Sequence, residues 1–379
     1  MTPMAPGTTV SASSLTLFLS GDVMPGRGID QILPHPSSPR LYEPYVSHAG
    51  DYVALAESTN GPLPRPVSYE YIWGDSLDML EQMSPDIRVI NLETSITTSD
   101  AYWKGKGINY RMNPGNIPCI TAAGIDCCLL ANNHVLDWGY PGLDDTLKTL
   151  HAAGIQTCGA GNTLQEAHQP AIFSVGSKGR VLIFSFGHGS SGIPPEWAAT
   201  DKRAGVALLD NLSDSAVQEI ATMVRAVRAS RDIVVASIHW GGNWGYAVPG
   251  EQRLFAHRLI DEAGVDLVHG HSSHHPKGIE VYREKPIIYG CGDLLNDYEG
   301  ISGYETYRGE LSLMYFPTMD PASGKLVRFE LIPTLVRRFR LNRPSQQDIS
   351  WMADLLNREG RNFGTRAEFT DGETLRLFW

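Results

Sequence analysis

Apolar residues along this chain fall into short runs that stop abruptly at Gly, Asp, Pro or His. The runs that read as strands are LTLFLSG at 15–21, IRVINLE at 87–93, DCCLLANN at 126–133, RVLIFSF at 180–186, DIVVASIHW at 232–240, VDLVHGH at 265–271, PIIYG at 286–290, LSLMYF at 311–316 and VRFELIP at 327–333. Each is short, rich in branched side chains and bounded by turn formers. Between them lie stretches with helical spacing, near 69–83, 139–153, 214–230, 250–263 and 346–358. In the fourth, Leu254, Phe255, Leu259 and Ile260 recur at that spacing. Alternation of strand and helix predicts an α/β layered core.

Two regions break the rhythm. Residues 1–13 are small and polar and read as a frayed tail. Residues 33–68 are rich in Pro, Ser and Tyr without a period, too long for a simple connection, and read as an insertion over a site. One domain over 14–340 is expected, with 341–379 as a C-terminal helix and tail.

Composition narrows the class. Of 379 residues, 42% are hydrophobic and 19% charged, which is globular rather than disordered. A net charge of −11 argues against nucleic acid as a partner, because phosphate binding needs basic surface. The longest early apolar stretch, Leu15–Leu19, is too short to span a bilayer and lacks a basic flank, so no membrane segment is expected. Cys119, Cys127, Cys128, Cys158 and Cys291 have no CxxC spacing. They read as buried apolar residues in a reducing, cytoplasmic compartment.

The chemistry sits where apolar runs end. Leu15–Gly21 ends in Asp22, Ile87–Leu92 in Glu93, and Cys127–Leu130 in Ala131, Asn132, Asn133 and His134. Ile233–Ile238 ends in His239, and Val265–Val268 in His269, Gly270 and His271, followed by His274 and His275. In open α/β sheets, ligands collect beyond the carboxyl ends of the strands. Carboxylate, amide and imidazole donors without thiolate suit Mn, Zn, Fe or Co. Glu93 is placed to bridge two divalent ions, and such ions acidify water or polarise a substrate oxygen. His134, beside Asn133, is a candidate acid or base rather than a ligand. Each residue alone also fits a cap, a turn or a packed core histidine; their coincidence at strand ends favours a site.

The motifs SGDVMPGR at 20–27, INLETSIT at 90–97, LANNHVLDWG at 130–139, IHWGGNW at 238–244, HGHSSHHPKGIE at 269–280 and IIYGCGD at 287–293 resemble those of the CapA-type poly-gamma-glutamate capsule biosynthesis family, a branch of the calcineurin-like metallophosphatases. The resemblance implies a four-layer αββα sandwich of two mixed sheets with one or two ions at the strand ends. It implies one site of Glu93, Asn133, His239 and His271, and a weaker one of Asp22, Glu93 and His274. Met24 stands where the superfamily has a histidine. His134 is the implied acid; an epimerase would need a second proton-moving residue, one of His269, His274 or His275.

Three functions stay open on this reading. One is a metal-dependent hydrolase of a phosphoester or a gamma-glutamyl or peptide-like substrate. Another is a metal-dependent peptide epimerase moving the Cα proton. The third is a non-catalytic polymer-binding or capsule-assembly protein. The expected partner is a small molecule, a peptide or an anionic polymer; oligomeric state is not specified. Arg27 and Arg111, in loops after motifs, are candidates to hold a carboxylate or phosphate, and Trp240 to wall the substrate groove. His188 is a spare acid–base candidate.

Overall fold

The computed structural model describes residues 11, 13–370 and 372–379. Most of the tail expected at 1–13 lies outside these residues. The main elements in chain order are β1 (Leu15–Val23), α1 (Gly50–Asn60), α2 (Ser76–Met83), β2 (Ile87–Leu92), β3 (Cys127–Leu129), α3 (Gly139–Ala152), β4 (Gln156–Cys158), β5 (Ala171–Val175), β6 (Gly179–His188), α4 (Asp214–Val227), β7 (Asp232–His239), α5 (Gly250–Asp261), β8 (Leu267–His271), β9 (Ile279–Tyr282), β10 (Lys285–Ile288), β11 (Asp293–Leu295), β12 (Leu311–Asp320), β13 (Lys325–Val336), α6 (Gln346–Gly360), β14 (Arg366–Phe369) and β15 (Leu375–Phe378). The fold is mixed α/β. All nine expected strands and the five expected helices are present, and the first helix is shorter than its pattern suggested.

The elements form two large sheets. A ten-stranded sheet runs β14–β15–β13–β12–β1–β2–β3–β4, with β11 also paired to β1 and a short strand, Leu341–Asn342, to β13. A seven-stranded sheet runs from Leu208–Leu209 through β6–β7–β8–β10–β9, with β5 also on β6. β1, β2, β3 and β4 are mutually parallel, as are β6, β7, β8 and β10. Such strands are covered on both faces, and every residue of β7 is buried accordingly.

Side chains alternate across each strand, and the alternation sorts the core. Leu17, Leu19, Val89 and Leu129 of the larger sheet share one apolar cluster with Val181, Ile183, Val235 and Leu267 of the smaller. Phe18, Ile90 and Cys128 pack instead with Val53, Leu80, Leu143 and Leu147 of α1, α2 and α3. Leu182, Val234, Ala236 and Val268 pack with Val217, Ile220, Phe255 and Leu259 of α4 and α5. Leu254, grouped with the buried face on spacing alone, is 60% exposed.

Two regions depart from expectation. The 33–68 insertion contains α1, whose buried residues are few, Tyr52, Val53 and Ala56, so its periodicity is faint. The C-terminal stretch, expected as helix and tail, continues past α6 into the hairpin β14–β15, which extends the ten-stranded sheet through β13. Ser345 starts α6 with a capping box to Asp348.

One close approach shapes the upper end of β1. A side chain on Gly21 would overlap the Gly292 carbonyl oxygen. The backbone there runs tight enough for β11 to pair with β1, Asp22 opposite Asp293, with a shift of register before Val23 meets Leu295.

Candidate metal centre

Most donors come from the carboxyl ends of strands in both sheets, and Asp293 comes from the amino end of β11 beside β1. Asp22 is the penultimate residue of β1, and Glu93 follows β2 directly. Asn133 and His134 follow β3, while His239 and His271 are the last residues of β7 and β8. Asp293 opens β11. All the charged and imidazole members are buried.

Two compact groups result. Asp22, His239 and His271 bring one donor atom each within 4.8 Å of one another. Asp22, His274 and Asp293 do the same. Asp22 is therefore common to both, the position expected for Glu93. Glu93 stands alongside, its Oε1 3.9 Å from His239 Nε2 and 3.7 Å from His134 Nε2. Asn133 Oδ1 lies 2.9 Å from His239 Nε2. Met24 is fully buried with its sulfur 3.8 Å from the Tyr298 hydroxyl.

Amides hold the carboxylates in place. Asn91 Nδ2 donates to Asp22 Oδ1 at 2.7 Å, and Asn132 Nδ2 donates to Asn91 Oδ1 at 3.1 Å. The Asn132 side-chain Oδ1 accepts the backbone N–H groups of His134 and Val135, which fixes the turn that presents His134. Asn132 thus shapes the loop.

The electrostatics ask for a cation. Burial, reinforced by Asp293, pushes the Asp22 carboxyl up to about 7. Burial and the neighbouring Asp22 raise Glu93 well above the carboxylate range. Asp22 Oδ2 is buried without a hydrogen-bond partner. Burial drives His239 and His271 well below the usual imidazole value, so both are neutral and able to ligate. Burial works against charge on His274 as well, but Asp293, 2.8 Å from its Nδ1, outweighs it and the pKa rises. Crowded carboxylates, an orphaned carboxylate oxygen and neutral imidazoles fit a divalent metal.

His134 has its own support. Its Nδ1 lies 2.6 Å from Asp137 Oδ2, and Lys106 Nζ lies 2.5 Å from Asp137 Oδ1. Lys106 Nζ is also 3.0 Å from His134 Nδ1. The shorter Asp137 contact assigns the proton to Nδ1 and leaves Nε2 facing Glu93. Burial lowers the His134 pKa to about 4, against the pull of Asp137.

The other expected residues are placed differently. Both ring nitrogens of His269 are committed, Nδ1 to Ser237 at 3.0 Å and Nε2 to the Ser20 carbonyl at 3.0 Å, so it ties the two sheets together. His275 Nε2 accepts from the Gly245 N–H at 3.1 Å, and its Nδ1 lies 3.1 Å from the Pro276 carbonyl. Neither has a nitrogen left for proton transfer. Trp240 is buried against Phe255 and Tyr289, with Nε1 donating to the Tyr289 carbonyl, and walls no groove. Arg111 is spent on the Ser99 and Ser38 carbonyls and Asp100, over the Trp138 ring. Arg27 is held by Asp297 and Glu43. His188, half-buried, pairs with Ser190.

A profile of the bacterial capsule synthesis protein family PGA_cap matches residues 16–298. The chain belongs to this family. Its relatives in the capsule-synthesis family include a probable polyglutamine synthesis accessory protein of Mycobacterium tuberculosis, 49% identical over 93% of each chain. The PGA biosynthesis protein CapA of Bacillus subtilis is 24% identical over 86% of this chain and 72% of its own. The capsule biosynthesis protein CapA of Bacillus anthracis is 23% identical over 75% of this chain and 60% of its own. No helix among the described residues is long and apolar enough to cross a membrane.

Sequence reasoning overlooked Asp293, Asp137 and the role of Lys106. Asp293 had a signal: it closes the run IIYGCGD as Asp22 closes the run before it. Asp137, three residues after His134, is spaced to return to that ring across a turn. Lys106 lies in a loop with no pattern, and only the fold brings it to His134.

Proposed function

We propose that the protein is a metal-dependent hydrolase of an amide-linked, peptide-like or gamma-glutamyl substrate, working within capsule-type polymer synthesis. The observation that carries this reading is the pair of buried donor groups joined at Asp22, with Glu93 alongside and His134 Nε2 turned toward Glu93. We take the two sheets and their covering helices to be the four-layer sandwich of the metallophosphatases.

Asp22, His239 and His271, with Asn133 beside them, would hold one ion; Asp22, His274 and Asp293 would hold a second. Asp293 supplies the donor that Met24 does not. A bound divalent metal supplies Lewis acidity and makes water a better nucleophile at neutral pH. Asp137 accepts the Nδ1 proton of His134 and fixes the ring, so Nε2 is free to take a proton from the attacking group and return it to the leaving nitrogen. Lys106 neutralises Asp137 and braces the loop. Burial of the whole set excludes water and strengthens each interaction.

The name of the tuberculosis relative, a probable polyglutamine synthesis accessory protein, supports a setting in polymer synthesis. The test is direct. Metal-loaded protein, its content measured, is offered gamma-glutamyl and peptide anilides and an aryl phosphate. Release of the anilide that stops with chelator supports the reading. Full metal occupancy with no release from any anilide overturns it.

A further inference from the structure

The hydroxyl of Tyr298 stands beside the second donor group and has no part in the chemistry above. Tyr298 lines a cavity of about 510 Å³ together with His274 and Asn296. Its ring meets the His274 ring edge-on, with centroids 5.3 Å apart at 89°. One amide fixes it relative to a ligand carboxylate. Asn296 Nδ2 donates to Asp293 Oδ2 at 2.9 Å, and Asn296 Oδ1 accepts the Tyr298 N–H at 3.1 Å. A residue held by the same group that orients a ligand is preorganised toward whatever that ligand holds.

The direction of its O–H bond follows from its neighbours. The Tyr110 hydroxyl donates to the Tyr298 oxygen at 3.1 Å. Tyr110 is 1% exposed, packed against the Arg27 guanidinium and the His134 ring, and its hydroxyl has no other hydrogen-bond partner among the described residues. The reverse arrangement would strand the Tyr110 proton in that packed layer as an unpaired buried donor. The Tyr298 proton is therefore left over, and the acceptor it meets is Met24 Sδ at 3.8 Å, a weak one. A phenol keeps its proton at neutral pH, and the bond received from Tyr110 makes it a better donor. An amide or imidazole at position 24 would capture that proton; the thioether leaves it for an occupant of the cavity.

We infer that Tyr298 is a catalytic residue whose hydroxyl donates to the oxygen that gains negative charge when the substrate carbonyl is attacked. This rests on the hydrolase reading for the reaction, while the donor itself can be read by binding alone. The oxygen of water adds to the carbonyl carbon, and the π pair moves onto the carbonyl oxygen, which accepts the Tyr298 O–H. The carbonyl re-forms as the carbon–nitrogen bond breaks, and the proton that His134 Nε2 took from the water passes to the departing nitrogen. Tyr298 keeps its proton throughout. A fixed donor aimed at an oxygen that is charged only in transit lowers the barrier without tightening the ground state.

The experiment compares Tyr298→Phe with the parent, both metal-loaded, after metal content and melting temperature are measured. Anilide release should fall by at least about 100-fold in kcat, with KM within about threefold. Calorimetry with a phosphinate peptide, an uncleavable tetrahedral anion, should show binding at least about tenfold weaker in the variant. Tyr110→Phe keeps the donor and removes only the bond it receives, so both losses should be smaller. Unchanged phosphinate affinity in Tyr298→Phe overturns the inference, as do a parent that binds no phosphinate, an active parent whose kcat the substitution leaves alone, and a larger loss in Tyr110→Phe than in Tyr298→Phe. A fall in metal content, or a rise in KM alone, would make Tyr298 a structural residue and overturn it as well. A parent that cleaves no anilide, yet binds phosphinate about tenfold tighter than Tyr298→Phe, retires the hydrolase reading and leaves the hydroxyl as the oxygen-binding donor of another reaction at this centre.

Discussion

Replacing Arg27 by methionine tests how the insertion is joined to the sheet that carries the site. The guanidinium lies between Glu43 of the insertion and Asp297 of the loop after β11, with the three side chains 1%, 4% and 0% exposed. Methionine keeps the stem and removes the charge, leaving two buried carboxylates without their counter-ion. Breaking a buried pair in this way costs about 3–5 kcal/mol. At about 2.1 cal/mol/K per residue, 379 residues carry an unfolding entropy of about 0.8 kcal/mol/K, so the melting temperature should fall by about 4–6 °C. Adding Glu43→Gln and Asp297→Asn to Arg27→Met should recover part of the loss, because no buried charge is then unpaired. Calorimetric or fluorescence melting at constant protein and metal concentration reads both numbers. A single variant within 1 °C of the parent would refute the argument, as would a triple variant less stable than the single one.

Other expectations concern the centre. His239→Ala should lower metal content by at least one equivalent and abolish turnover together, read by elemental analysis and anilide release. Asp293→Asn should weaken the ion shared with His274 while the group of Asp22, His239 and His271 keeps its own, so a chelator titration should show one site lost first; simultaneous loss would show that the two groups are not separable. His134→Ala should keep metal and lose turnover by at least about 100-fold, and loss of metal instead would make His134 a ligand. Lys106→Met should lower kcat with little change in metal content, and Lys106→Arg should restore part of it, because the role is to hold Asp137.

The fold and much of the centre were legible for one physical reason: parallel strands buried on both faces are continuous apolar runs, so a polar residue at the run's end is conspicuous. Asp22, Glu93, Asn133, His239, His271 and His274 all stood out this way and converge in space. What the pattern hides is the commitment of each polar atom. His269 looked as reactive as His271, yet Ser237 and the Ser20 carbonyl occupy its two nitrogens. Arg27 looked like an anion clamp until Glu43 and Asp297, distant in sequence, were seen to saturate it. Trp240 belonged to an aromatic-rich motif, but strand alternation turns it into the layer of α5. The terminal hairpin β14–β15 escaped notice because its strands are only four residues each and polar on one side.

The tight crossing of Gly21 and Gly292 has a consequence for evolvability. Because main chain touches main chain there, the distance between Asp22 and Asp293 is dictated by peptide geometry and not by any side chain that selection could trim. A bulkier residue at position 21 would press on the Gly292 carbonyl oxygen and pry β11 from β1, so the spacing of the two carboxylates cannot be changed there without breaking the strand pair.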